Sequence, residues 1–145
     1  MTNKIMYASE TEILVPFHDV DSMNVVWHGY YAKYFEVARC EFLEMFHYSY
    51  QAMRDSGFSW PIIDMRVKYV KPIVFGQKIR VHCSLREWEY RLKLDYLISD
   101  AVTGTRLTKG YTVQVAIDMQ TELMCFESPP ILKQLLTQKF GTLAE

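Results

Sequence analysis

Cysteine is scarce in this 145-residue chain, and its three, Cys40, Cys83 and Cys125, form an odd set with no CxxC spacing. That excludes a disulfide framework and is the pattern of reduced thiols in a cytoplasmic protein. Cys40 and Cys83 sit among apolar residues, as small core side chains do. Histidine is no richer. His18, His28, His47 and His82 include no HxxxH pair and no compact group with cysteines or carboxylates, the adjacent His18 and Asp19 being the nearest approach. No metal and no cofactor is expected. An excess of one charge is also missing: 16 Lys and Arg stand against 17 Asp and Glu, a formal net charge of −1. Nucleic acid is set aside as a partner, because tracking its phosphates requires a basic excess or stripe. No apolar run reaches the length of a membrane-spanning helix, and the opening residues MTNKIMYASETE hold no apolar stretch of a secretory leader. Glycine (6) and proline (5) are sparse, and no repeat, low-complexity tract or linker divides the chain. One continuous domain over residues 1–145 is expected.

Apolar and aromatic residues are what the chain does have, at 50% and 14% of its length. A domain of this size buries roughly 68–70% of its unfolded surface and needs no staples. So large an aromatic share also suits an oligomer interface. TEILVPFHD reads as a strand with Pro16 near its end. From Tyr30 the period is helical: Tyr31, Tyr34, Phe35, Ala38, Phe42 and Met45 recur at steps of three and four, with Lys33, Glu36, Glu41 and Glu44 on a narrower polar edge. So wide an apolar stripe predicts a helix wrapped by other structure. YSYQAMRDSG predicts a second short helical turn stopped at Gly57.

Period two follows. Met65, Val67 and Tyr69, then Ile79 to Leu85, then Leu92 to Ile98, and finally Val113, Val115 and Ile117 alternate with polar neighbours, the last set with Thr112, Gln114 and Asp118. These are four one-faced antiparallel strands, with DAVTGT as a hairpin turn. SPPILKQLLTQKF predicts a closing amphipathic helix capped by Ser128, with a proline in its first turn. One apolar helix and one open sheet satisfy each other if the sheet curls around the helix, an α+β arrangement.

The entry to the long helix, DVDSMNVVWHGYYAKYFEVAR (Asp19–Arg39), carries two carboxylates. An Asp or Ser ahead of a helix is ordinarily a cap or a turn residue. The position also suits chemistry. Free N–H groups and the dipole at a helix N-terminus stabilise a growing negative charge. A carboxylate in a partly dry pocket acts as general base or nucleophile. Gly29 leaves room for a ligand against the terminus. Taken alone, the residues leave both readings of Asp21 open.

The element order and the helix-entry motif resemble the hot-dog fold and, within it, the 4-hydroxybenzoyl-CoA thioesterase-like acyl-CoA thioesterases. The resemblance is carried by FHDVDSMNVVWHGYYAKYFEVAR (Phe17–Arg39), with its aromatic, DxD pair, short loop, Val-Val, aromatic-His step and central helix. It is carried also by VKYVKPIVFGQKIRV (Val67–Val81), with Tyr, Lys-Pro and a Gly ahead of the next strand. It extends from Ile13 to Ile117 and implies a curled antiparallel sheet around one long central helix.

The activity it implies is that of a cytoplasmic thioester hydrolase, splitting an acyl- or aroyl-CoA, or an acyl carrier protein thioester, into acid and thiol. It makes Asp21 the catalytic carboxylate, as general base or nucleophile, and gives the backbone amide at His28, beside Gly29, the task of polarising the thioester carbonyl. Asp19 then fixes the loop. Asn24 stands where the family has Gly, and Asn is the commonest other residue in left-handed backbone. Asn24, Val26, Trp27, Tyr31, Trp60, Tyr69 and Lys71 are candidate substrate-binding residues, although aromatic residues at such spacings are equally explained as core. Glu36, on the polar edge of the helix, is the second-choice carboxylate. Lys68, Lys71, Arg86 and Arg91 are cations for CoA phosphates or simply solvated surface charges. The resemblance further implies a homodimer, or a homotetramer of two dimers, joined sheet edge to sheet edge with the partner's FSWPIIDMRVKY strand at each site. A hydratase on the same fold would need a GHFPG-type loop, which the chain lacks. A non-catalytic acyl-CoA sensor or scaffold remains the alternative from another class.

Overall fold

A computed structural model of the protein describes residues 7–141. The apolar stripe of the sequence forms α1 (Tyr31–Met45), entered through a single 3-10 turn at His28–Tyr30. Tyr31, Tyr34, Phe35, Ala38, Phe42 and Leu43 are all buried, and Lys33, Glu36, Glu41 and Glu44 are exposed. The helix stops where His47 turns left-handed (φ 64°). The N–H of Tyr48 then bonds the Leu43 carbonyl at 3.0 Å and that of His47 the Glu44 carbonyl at 3.1 Å, which satisfies carbonyls the helix leaves over. The short α2 (Tyr50–Asp55) follows, capped by Ser49, whose Oγ accepts from the Ala52 N–H, and ended at Gly57 (φ 95°).

Five strands form one antiparallel sheet in the order β1 (Ala8–Leu14), β4 (Lys78–Glu87), β5 (Leu92–Asp100), β6 (Arg106–Gln114), β3 (Ile62–Tyr69). Two short strands, β2 (Phe58–Ser59) and β7 (Ile117–Asp118), pair separately. The alternation of β4 and β5 turns Ile79, Val81, Cys83, Leu92, Leu94, Tyr96 and Ile98 onto α1, each at most 2% exposed. Phe35 of the helix stacks on Tyr96 with centroids 4.3 Å apart and rings 7° from parallel. Opposite Tyr96 stands Gly110, where a Cβ would lie 2.1 Å from the Arg66 carbonyl oxygen and 2.9 Å from the Phe35 ring. Only glycine lets the helix settle this close to the sheet.

Two expectations need correction. β6 begins further back than its valines suggest, and Thr112 and Gln114 are fully buried, not solvent-facing; Thr108, earlier in the strand, is fully buried too. Thr112 hydrogen-bonds the Tyr96 hydroxyl at 2.7 Å and the Gln114 amide donates to the Trp60 carbonyl at 2.7 Å, whereas the Thr108 hydroxyl and the Gln114 Oε1 have no partner among the described residues. Val113, Val115 and Ala116 are buried as well, so both faces are covered at this end and strict alternation disappears. The closing helix α3 (Pro130–Phe140) is not capped by Ser128. The Ser128 N–H is drawn to the Glu89 carbonyl, its hydroxyl stays unpartnered, and Pro129 and Pro130 preset the first turn. Phe140 then packs edge-on to Tyr7 (5.1 Å) and against Phe42 (6.1 Å), closing the core.

Candidate active site

The segment between β1 and α1 is built around its first carboxylate. After a 3-10 turn at Phe17–Asp19, the chain doubles back on itself. Val20 bridges Val26, the Asp21 N–H bonds the Val25 carbonyl at 2.9 Å, and the Trp27 N–H bonds the Asp19 carbonyl at 3.1 Å. Asn24 makes the turn with φ 63°, the left-handed backbone expected of it. The returning arm is stitched to the loop before β4 through Val26 N–H to Ile73 (2.7 Å) and Phe75 N–H to Asn24 (3.1 Å).

Asp19 is 1% exposed. Lys33 donates to one of its oxygens, and the Tyr34 hydroxyl donates to the other at 2.8 Å. Burial alone would push this carboxyl up, but the Lys33 and Tyr34 hydrogen bonds and the Lys33 charge outweigh it and hold it below its ordinary value. Burial and the adjoining Asp19 push the Tyr34 hydroxyl far up. Asp19 is thus the bolt between loop and helix. The sequence shows Lys33 only as part of a polar edge. A usable signal was present, because a cation in the first turn of a helix opposes the dipole and implies a carboxylate partner.

Asp21 lies one step further along the same backbone ladder and is exposed. Its Oδ1 accepts the Met23 N–H at 2.9 Å, and its other oxygen makes no hydrogen bond among the described residues. At the start of the helix the N–H groups of His28 and Gly29 also have no acceptor among the described residues, whereas the Tyr30 N–H returns to Trp27 at 2.9 Å. The Trp27 ring covers Gly29 so closely that a Cβ there would sit 2.1 Å from it. Tyr69, at the end of β3, donates its hydroxyl to the His28 carbonyl at 3.0 Å and meets Tyr31 edge-on at 4.7 Å, tying the sheet edge to the helix entry.

The structure therefore gathers Asp21, Asn24, Val26, Trp27, His28, Gly29, Tyr31 and Tyr69 in one corner. Trp60 is elsewhere, buried with its indole N–H on the Tyr48 hydroxyl. Lys71 is exposed just beyond β3, its N–H bonded to Leu107. Glu36 is engaged by the buried Arg39. Arg86 faces Asp95 at 3.9 Å and Arg91 grips Glu87 through two bonds, so neither is a free cation. Among the described residues no three His, Cys, Asp or Glu side chains converge as metal ligands, and no helix is long and apolar enough to cross a membrane.

A family profile described as the thioesterase-like superfamily matches residues 15–138. The chain belongs to this superfamily. Its matched span contains the whole corner described above. The thioesterase-like chain has the hot-dog fold, a curled antiparallel sheet around a central helix. It superposes on a DHNA-CoA thioesterase from Staphylococcus aureus with a TM-score of 0.78 and 28% identity, covering 95% of this chain and 97% of that one. A 1,4-dihydroxy-2-naphthoyl-CoA thioesterase from Synechocystis superposes with a TM-score of 0.80 at 21% identity over 89% and 95% of the two chains, a likeness of fold. The acyl-CoA thioester hydrolase YbgC of Escherichia coli is 33% identical over 73 residues, 50% of this chain and 54% of that protein. Two further curated bacterial relatives are matched over 57% and 60% of their lengths, so the chain spans little more than half of these curated relatives.

Proposed function

We propose that this thioesterase-like protein hydrolyses acyl-CoA thioesters, with the Asp21 carboxylate acting at the carbonyl carbon and the N–H groups of His28 and Gly29 receiving the oxyanion. The observation that carries the reading is the pair of unengaged N–H groups at the helix entry, laced to the Asp21 loop through the Asp19–Trp27 and Asp21–Val25 backbone bonds. A thioester oxygen at those N–H groups gains hydrogen bonds that strengthen as negative charge grows. As general base, Asp21 takes a proton from water while the water oxygen bonds the carbonyl carbon. The tetrahedral species then collapses, the C–S bond breaks, and the CoA thiolate leaves and is protonated. As nucleophile, the carboxylate oxygen bonds the carbonyl carbon, the C–S bond breaks with departure and protonation of the CoA thiolate, and water then cleaves the resulting anhydride to release the acid and restore the Asp21 carboxylate.

A carboxylate standing in water is a weak base, and desolvation is what makes it effective. We assign that desolvation to a second copy of the chain. The β3 strand is a sheet edge with Ile62, Ile63, Met65 and Tyr69 between 39% and 57% exposed, and apolar edges of this kind invite pairing. Pairing of two β3 strands closes the uncovered side of the corner, because Tyr69 already joins β3 to His28. A homodimer, alone or doubled into a tetramer, is then the working unit.

The test is release of free CoA from aromatic, short-chain and medium-chain acyl-CoAs, followed beside equilibrium binding. Turnover of at least one class is expected. Binding with no turnover of any class indicates a sensor and contradicts the proposal, as does hydration of enoyl-CoA without hydrolysis.

A further inference from the structure

Tyr69 closes β3 with its side chain on the helix side of the sheet. Its cross-strand partner is Thr108, which lies two residues from Gly110, the glycine beneath the Phe35 ring. Residues two apart in a strand share a face, and so do directly opposed antiparallel partners. From there the Tyr69 hydroxyl donates to the His28 carbonyl at 3.0 Å, and its ring is held edge-on by the buried Tyr31 at 4.7 Å. That carbonyl is one end of a peptide whose other end is the Gly29 N–H, which has no acceptor among the described residues. The preceding peptide is arranged alike. Its N–H, that of His28, is also without an acceptor among the described residues, and its carbonyl, that of Trp27, accepts the Tyr30 N–H at 2.9 Å. Two successive peptides therefore present bare N–H groups while their carbonyl ends are engaged. For the first, the backbone turn supplies the donor. For the second, the chain brings a side chain from 41 residues away. A hydrogen bond accepted by a peptide carbonyl draws charge towards the oxygen, and chains of such bonds polarise one another. The N–H at the far end becomes a stronger donor, and the peptide plane is fixed.

We propose that Tyr69 is a positioning residue for the oxyanion, aiming and strengthening the Gly29 N–H through the His28–Gly29 peptide. This differs from the substrate contact that its sequence position implies, and it rests on the use of the His28 and Gly29 N–H groups under the proposed function. Removing an oxyanion donor outright costs about 10²–10³ in kcat. Polarisation through a neighbouring bond changes a hydrogen bond by about 10–30%, so the hydroxyl is worth roughly two- to eightfold in kcat. Because the donor gains most as negative charge grows, the effect falls on kcat and leaves KM nearly unchanged.

Tyr69→Phe keeps the ring against Tyr31 and removes only the hydroxyl. The control is Tyr111→Phe, which loses a hydroxyl that meets Asp64 at 3.2 Å elsewhere on β6. Circular dichroism verifies that both fold. CoA release is followed with whichever of benzoyl-, butyryl- and octanoyl-CoA the wild type hydrolyses fastest. Tyr69→Phe is expected to lower kcat by about two- to eightfold with KM within about twofold, and Tyr111→Phe to change neither. A second readout, which loss of stability alone would not move, is the infrared carbonyl stretch of the same thioester bound to Asp21→Asn. Its shift to lower wavenumber on binding should be smaller in Asp21→Asn/Tyr69→Phe. An unchanged kcat, a rise in KM alone, or an equal carbonyl shift with and without the hydroxyl overturns the assignment to Tyr69 and leaves the reading of Asp21 standing. No turnover by wild type, or wild-type turnover by Asp21→Asn, overturns that reading and the inference with it.

Discussion

Replacing Lys33 with Met tests the bolt that fixes the site loop. Met keeps most of the side-chain volume and removes the ammonium that donates to Asp19. The Asp19 carboxylate, 1% exposed, is left with the Tyr34 hydroxyl at 2.8 Å and with His18 at 3.7 Å. A hydrogen bond to a charged group contributes about 1.5–3 kcal/mol net. Lys33 is 44% exposed, so solvent screening reduces the loss to about 1–2 kcal/mol. For a chain of this length that is a fall in Tm of roughly 3–8 °C.

The pH dependence is the sharper part. In the wild type the folded carboxyl of Asp19 lies below its ordinary value of 3.8, so its stabilising contribution is full above that value and is lost as the pH falls through it and below. Without Lys33, burial is opposed by less and the folded carboxyl moves up, so acid costs the variant less than it costs the wild type. The stability gap between them should be widest near pH 7 and shrink as the pH falls through the variant's raised carboxyl towards pH 3, read in urea titrations. A gap that is constant across this range, or a variant as stable as wild type at pH 7, refutes the reasoning.

Other outcomes follow from single contacts. Gly110→Ala drives a Cβ to 2.1 Å from the Arg66 carbonyl and should destabilise the fold by about 3 kcal/mol or prevent it, read from denaturant midpoints. Asn24→Gly should keep wild-type stability and turnover, whereas Asn24→Ala should lose about 1–2 kcal/mol, because the turn needs φ 63°. Ile63→Lys/Met65→Lys places two charges on the β3 edge. It should sediment as a monomer and lose turnover, and a variant that stays associated and active contradicts the dimeric site.

Much of the fold was legible because the apolar periods are long and clean. The α1 stripe and the alternation of β4 and β5 each bury the residues their spacing marks, with Leu92, Leu94 and Ile98 at 0% exposure. Legibility failed where burial is two-sided or polar. Thr112 and Gln114 read as solvent-facing, since a sequence does not show that the Tyr96 hydroxyl waits across the strand for Thr112 or the Trp60 carbonyl for Gln114. Arg39, a charged residue outside the apolar stripe, is nevertheless 2% exposed and held by Glu36 and the Tyr50 hydroxyl. At the site, Asn24 in a left-handed turn follows from local chemistry, whereas the room expected beside Gly29 is taken by the Trp27 ring. The Asp19–Lys33 bond, 14 residues apart, is signalled only by a cation in the first turn of the helix, and the Tyr69–His28 bond, 41 apart, is a product of tertiary packing that no local pattern encodes.

The central claim is that one exposed carboxylate, and not its buried neighbour, carries the chemistry. Asp21→Asn retains an oxygen to accept the Met23 N–H at 2.9 Å, so it should leave stability within about 0.5 kcal/mol of wild type. Its kcat for CoA release should fall by roughly 10²–10⁴ while acyl-CoA binding is kept. An Asp21→Asn protein that binds and hydrolyses acyl-CoA at the wild-type rate contradicts the account.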